Sequence, residues 1–357
     1  MRLRTVLATV TAGLAAAVLT TAAGPATAAT PPAAAGTATG TAQVDACSPY
    51  VSLDRFSDAL DKTTYDGTFV GNFSALAVDT DGSIAALEDR SSLFTLDAGT
   101  LRPRSVVPLA DENGAALDSE GLVVDRDGTR LISSETEPSV RRYSRDGTIL
   151  DRLPVPSSLF VAPAGRATAN QTFEGLTMLP GGHTLLASME YAISGDSTGI
   201  VRFQTWHRTH GPGSGRFRLA AQYAYRTDTG LGVPEVQALP DGRLLVLERG
   251  FTSGVGNTVR LYLADPRRAT DTSGVENLTG GPEVRLVKKT LLADIADCPS
   301  LGATAKQPQP NPLLDNIEGM TVTGRHGNTF DVLLVSDDNQ NPAQTTRFYS
   351  LRVTAPR

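Results

Sequence analysis

Carboxylates recur at fixed places along this chain. Glu120-Gly121-Leu122, Glu174-Gly175-Leu176, Pro234-Glu235-Val236 and Glu318-Gly319-Met320 each open a short apolar segment, and Ser74-Ala75-Leu76 opens another without the acid. A second acidic position closes the strand that follows: Glu88, Glu135, Glu190, Glu248, and Asp337 with Asp338. An ionised carboxylate beside apolar sequence is costly unless it is paired, hydrogen-bonded or metal-bound, so three chemistries fit. Each Glu can accept backbone N–H groups of a neighbouring unit, a structural role. Several can hold Ca²⁺, a hard ion that prefers roughly six to eight oxygens; the candidate ligands are Glu120, Glu174, Glu235, Glu318, Asp337 and Asp338. Or Glu120, Glu174 and Glu318 can serve as catalytic acid and base. Arg90 and Arg249 occupy equivalent places just beyond the second strand. Either can orient a phosphate or carboxylate by its guanidinium fork, and simple pairing with the adjacent acids is the alternative.

These residues converge only if the elements carrying them are arranged in a ring. The five openings are followed by a Gly-containing turn and a second apolar strand, such as Arg130-Leu131-Ile132-Ser133-Ser134 or Arg243-Leu244-Leu245-Val246-Leu247. Continuous apolar strands bounded by turn residues belong to sheets covered on both faces, which is the situation of a propeller blade between its neighbours. Further strand candidates after each pair give about four strands per repeat. Repeat starts at Ser74, Glu120, Glu174, Glu235 and Glu318 lie 46, 54, 61 and 83 residues apart, against roughly 40–50 for a four-stranded blade. The reading is an all-β fold, a single β-propeller of five or six blades. Residues equivalent by repeat then meet at one mouth of a central channel. Closure is expected where Val51–Phe56 pairs beside Thr346–Leu351.

Several separated motifs resemble one family. They are Leu117-Asp118-Ser119-Glu120-Gly121-Leu122, Asn170-Gln171-Thr172-Phe173-Glu174-Gly175-Leu176, Leu247-Glu248-Arg249-Gly250-Phe251, and Asn316-Ile317-Glu318-Gly319-Met320 with Ser336-Asp337-Asp338-Asn339. Together, over roughly Phe69 to Val353, they are similar to the phytase-like family, also called esterase-like activity of phytase. The resemblance implies a propeller related in shape to alkaline propeller phytases, with ester or phosphate-ester hydrolysis and calcium dependence. It carries no catalytic residue across by itself.

Residues 1–29 read as a secretory signal peptide: Arg2 and Arg4 precede an apolar stretch ending in Ala26-Thr27-Ala28. Residues 30–45, rich in Ala, Thr and Pro, read as a flexible linker, and 46–357 as the propeller. Export makes the mature protein extracellular, with no membrane association after cleavage, and the Ala-rich leader suggests a bacterial source. Cys47 and Cys298, the only cysteines, are expected to pair in that oxidising setting, worth roughly 4–5 kcal/mol in the chain-entropy model. Formal charge is −6, and loss of Arg2 and Arg4 makes it −8. Nucleic acid is excluded as a partner, since phosphate binding needs clustered Lys and Arg.

Gly195-Asp196-Ser197-Thr198-Gly199 matches the nucleophile-elbow pattern, but a strand follows it where that motif needs a helix. His207 and His210 sit by a Gly-rich loop without a third ligand. The sequence therefore points to a secreted, monomeric, Ca²⁺-dependent hydrolase of small-molecule esters or phosphate esters. Its rivals are a non-catalytic propeller binding cations or a ligand with the same acids, and a lactonase-like metal-dependent hydrolase.

Overall fold

The structure, a computed structural model, describes residues 46–209 and 215–356. The expected signal peptide, the linker through residue 45 and His210 lie outside the described residues.

Five four-stranded antiparallel sheets form a five-bladed propeller. The innermost strands are Phe73–Val78, Ser119–Val124, Phe173–Met178, Gly232–Ala238 and Ile317–His326. No sixth blade exists among the described residues. The long spacing before Glu318 arises from the excursion between Asp265 and Lys288 and from the crossing loop after Asp297.

Apolar strand centres are covered on both faces because each inter-blade seam has its own core. Leu87, Leu122, Ile132 and Tyr143 fill the seam between the first two blades; Phe173, Leu185 and Trp206 join the third to the second. Glycine permits the crowding at the axis. A Cβ on Gly121 would lie 2.4 Å from the Glu174 carbonyl oxygen, and one on Gly175 would lie 2.5 Å from the Val236 nitrogen. Close approach, with no positive φ, is the reason for glycine there.

The ring closes as expected. Val51–Ser57 supplies the outer strand of the fifth blade, pairing Val51 with Val353, Leu53 with Leu351 and Phe56 with Tyr349. A Cys47–Cys298 disulfide spans 251 residues of sequence and ties the lead-in of that closing strand to the segment after the fourth blade. Among the described residues no helix is long and apolar enough to cross a membrane.

The far ends of the inner strands are held by buried ion pairs. Asp79, just after the first inner strand, accepts from Arg130 of the second blade. Asp125, just after the second, accepts from Arg208 Nη2 at 2.8 Å and Arg142 Nη2 at 2.9 Å. The Arg130 and Arg208 pairs cross seams, whereas Arg142 belongs to the same blade as Asp125; the Asp125 carboxyl is held below its usual range, burial being outweighed by Arg208 and the Arg126 N–H. Around the axis at this end the walls are mixed, with Val78, Val124, Met178 and Val322 beside Thr177, Gln237 and Thr321 around a cavity of about 200 Å³.

Candidate functional site

Register decides which residues meet at the opposite mouth. Leu76, Leu122, Leu176, Val236 and Met320 are equivalent, facing Ala86, Ile132, Ala187, Val246 and Leu334 on the second strands. Two residues ahead of them lie Ser74, Glu120, Glu174, Pro234 and Glu318. Three residues beyond their partners lie Asp89, Glu135, Glu190, Arg249 and Asp337. One mouth is therefore ringed by two tiers, uncharged at Ser74 and Pro234 and cationic at Arg249.

This register corrects one expectation. Glu235 stands level with Gly121, Gly175 and Gly319, not with the other glutamates. Its carboxylate turns into the inter-blade wall and accepts the N–H of Leu176 at 3.2 Å and of Val236 at 2.9 Å. Backbone bonding, the structural role, describes Glu235. Asp338 is also outside the basin, holding Lys62, the Asn72 N–H at 3.1 Å and the Gln340 N–H at 3.3 Å. Arg90 is solvent-exposed and touches Gln340 at 3.1 Å. None of the three lines the basin.

The basin has a volume of about 310 Å³. From the first and second blades come Ser74, Asp89, Asp118, Glu120 and Glu135; from the third and fourth, Glu174, Glu190 and Arg249; from the fifth, Glu318 and Asp337; and from the loops, Asn170, Asn316 and Asn339. Eight carboxylates thus face one guanidinium. Glu120, Glu174, Glu318 and Asp337 were legible from the repeat; Asp118, Asn170, Asn316 and Asn339 stood in the family-like motifs without a site role, and Asp89 was not singled out. Asp118, two residues before Glu120, was the available signal.

Oxygens of Asp118, Glu120 and Glu135 lie within 4.8 Å of one another, as do oxygens of Glu135, Glu174 and Glu190. Glu135 belongs to both groups and is fixed by the Thr172 N–H at 2.7 Å. Arg249 Nη2 lies 2.9 Å from Glu318 and 3.4 Å from Glu190, while its Nε has no partner. Asn316 Nδ2 donates to Glu318 at 2.9 Å, and the Asn339 N–H donates to Asp337 at 2.7 Å.

Burial without enough cations pushes these acids upward. Desolvation, followed by Glu318, Asp118 and Glu135, holds Glu120 well above the usual carboxylate range. Glu174 is raised likewise by burial and by Glu120 and Glu190. Burial takes Glu135 to about 8, and Glu318 to about 7 against the opposing pull of Arg249. Asp89 is pushed to about 7 by burial, Asp337 and Asp118. Burial works against charge on Arg249, but Glu318, Glu190 and Glu174 more than offset it and keep the guanidinium protonated.

The donor set fits a hard divalent cation. It is all oxygen, clustered in two groups of three that share Glu135, and short of neutralising protein groups. Ser74 Oγ is buried in the basin wall with no hydrogen-bond partner.

A family model described as "Phytase-like: Esterase-like activity of phytase" matches residues 68–340. The chain belongs to this phytase-like family. A curated relative from Arthroderma benhamiae, described as an uncharacterized secreted protein, is 28% identical over an alignment of 114 residues, and the match covers 25% of this chain. The chain spans only 22% of that relative's length. The relative is fungal and lends no support to a bacterial source. Among solved structures, a gluconolactonase from Xanthomonas campestris is similar at 14% identity and a TM-score of 0.40, over 80% of this chain and 73% of that one. Glutaminyl cyclase from Myxococcus xanthus is similar at 11% identity and a TM-score of 0.43, over 86% and 97%. Neither likeness bears on the chemistry of the basin.

The Ser197 decoy is settled by local structure. The residue sits in a turn leading into strand Ile200–His207, and its Oγ donates to the Thr279 carbonyl at 3.2 Å.

Proposed function

We propose that this phytase-like propeller is a secreted, Ca²⁺-dependent hydrolase of small esters, phosphate esters included, with the acidic basin as its active site. The observation that carries the reading is the pair of overlapping acid groups sharing Glu135. Asp118, Glu120 and Glu135, or Glu135, Glu174 and Glu190, would hold an ion. When bound, Ca²⁺ polarises an ester oxygen and acidifies water.

The remaining residues suit supporting roles. Glu318, with a carboxyl poised at about 7, can take or return a proton near neutral pH. Arg249 offers its unpartnered Nε to an anionic oxygen. One guanidinium in the basin suits a singly charged ester better than a polyphosphate, because each added phosphate would meet carboxylates. An extracellular setting is supported by the disulfide and by the secreted relative.

Purified protein would be assayed with p-nitrophenyl phosphate, p-nitrophenyl acetate and a lactone, each with Ca²⁺ and with chelator. Chelator-sensitive turnover of either nitrophenyl ester is expected, and Glu318→Gln should remove it. Turnover of the lactone alone would select the lactonase-like reading. Ca²⁺ binding without turnover would leave the propeller as a binding module, and neither binding nor turnover would overturn both.

A further inference from the structure

The basin acids Asp89, Glu135, Glu190 and Asp337 each directly follow the second strand of a blade, so the connections from second to third strand rim the mouth. In the fourth blade those two strands run on past Arg249 as a regular ladder, pairing Gly250 with Thr258, Phe251 with Asn257 and Thr252 with Gly256. The tip of this hairpin carries Phe251 and Val255, 55% and 56% exposed. No other connection from second to third strand bears an exposed large hydrophobic residue.

The hairpin is packed on both flanks. Gly250 approaches its neighbours so closely that a Cβ there would lie 2.7 Å from the Gly230 carbonyl oxygen, and the Asn257 N–H donates to Gln309 Oε1 at 2.7 Å. Phe251 nevertheless belongs to none of the apolar clusters that fill the seams. A single exposed apolar residue is ordinary on a protein surface; the position of this one is not.

Strand alternation fixes that position. Residues two apart on a strand share a face and lie roughly 6.5–7 Å apart, and no bulge interrupts the ladder from Arg249 to Phe251. Phe251 therefore stands one step outward of Arg249 on the same face, and the Arg249 guanidinium lines the basin 2.9 Å from Glu318. The basin itself has nothing to offer hydrocarbon. No aliphatic or aromatic side chain faces it, so an alkyl chain or aryl ring placed inside would strip water from carboxylates and gain no apolar contact. A molecule anchored on Arg249 by an anionic group has the rest of its length directed out of the mouth, where the next side chain along that face is Phe251.

We propose that Phe251 is a specificity-determining residue, seating the alkyl or aryl part of a phosphate monoester whose phosphoryl group lies in the basin on the cation and Arg249. The inference rests on the function proposed above and names its substrate class. Monoesters of apolar alcohols are favoured over phosphorylated polyols, whose hydroxyls would lose water against the ring.

The test uses the mature protein in Ca²⁺ and two non-hydrolysable probes, hexylphosphonate and methylphosphonate, titrated calorimetrically into the wild type, Phe251→Ser and Phe251→Leu. Hydrolysis of hexyl phosphate and methyl phosphate is followed alongside. Hexylphosphonate should bind the wild type about tenfold more tightly than methylphosphonate, the scale of two methylenes leaving water. Phe251→Ser should bring that ratio close to one, and Phe251→Leu should keep most of it. Equal affinities in the wild type, or a preference that survives Phe251→Ser, overturns the assignment, as does failure of both probes to bind. Turnover of both phosphates at equal kcat/KM also overturns it and leaves the hydrolase standing. A Phe251-dependent preference in binding, without turnover of either phosphate, supports the rim site and removes the hydrolytic function. Self-association of the wild type that Phe251→Ser abolishes, with the two probes bound alike, overturns the assignment in favour of a second copy of the chain at the tip.

Discussion

The two ends of the inner strands bury carboxylates in opposite ways. At one end Asp79 and Asp125 are 5% and 3% exposed, and each meets an arginine from the next blade. At the other, Glu120 and Glu174 are 7% and 5% exposed and face more acids. Burial is alike, but partnership differs. The Asp125 carboxyl is held below its ordinary range and those of Glu120 and Glu174 well above it. A buried acid with a guanidinium across a seam is part of the framework, whereas a buried acid among acids needs a proton or an external cation. The contrast assigns stability to one end and, on the function proposed above, cation binding to the other.

The largest expected effect breaks the clamp. Asp125→Ala leaves Arg208 and Arg142 buried without their acid and should cost about 3–5 kcal/mol, the scale for removing one partner of a buried pair. Urea denaturation with and without Ca²⁺ would show a lower midpoint in both conditions, with the Ca²⁺-induced increment retained. Loss of that increment would mean the two ends are not separable.

Next in size is removal of the ion. Ca²⁺ at a hundred times its dissociation constant should stabilise the native protein by about 2.7 kcal/mol. Glu135→Gln should abolish that gain while leaving the chelated protein no less stable at pH 8, since one repelling charge is gone. Thermal unfolding of the variant in Ca²⁺ and in chelator reads both effects.

The pH dependence sharpens the same point. Glu135 near 8 and Glu318 near 7 lie above the 4.5 of a free glutamate. Between those values the folded state binds more protons than the unfolded state, so stability falls as pH rises from about 4.5 to about 8. Chelated protein should melt at a lower temperature at pH 8 than at pH 5.5, and Ca²⁺ should reduce the difference. An unchanged melting temperature across that window would contradict the protonated state of the basin.

The smallest effects concern residues that the structure places outside the basin. Glu235→Gln keeps a carbonyl oxygen able to accept the Leu176 and Val236 N–H groups, and should leave the Ca²⁺ response intact. Arg90→Ala, at an exposed site, should change stability by no more than about 0.5 kcal/mol. Calorimetric titration with Ca²⁺ checks the first and urea denaturation the second.

The propeller and its closure were readable because apolar phase repeats so regularly. Leu76, Leu122, Leu176, Val236 and Met320 keep their step to the turn glycine in four of five blades, and Val51–Phe56 supplies the fourth strand of the blade whose C-terminal run provides three. The site was readable only in part, because matching acid to acid conflicts with strand register at the fourth blade. Glu235 takes a glycine's place there, made possible because Gly175 of the adjacent strand has no side chain. Asp338 and Arg90 were misplaced for a related reason: neighbouring residues on a strand end point in different directions, and sequence spacing does not say which one faces the axis. Asp89 enters the basin just past a strand end, where no repeat marks it; Asp118 and the asparagines stood in recognisable motifs, but their approach to the axis depends on loops that spacing does not describe.

Calorimetric titration of chelator-stripped protein with Ca²⁺, wild type beside Glu135→Gln, tests the central claim most directly, because Glu135 alone belongs to both acid groups. Saturable binding by the wild type and its loss in a folded Glu135→Gln protein is the result expected. No binding by the wild type, or the same isotherm from both proteins, would contradict the assignment of the basin as a cation centre.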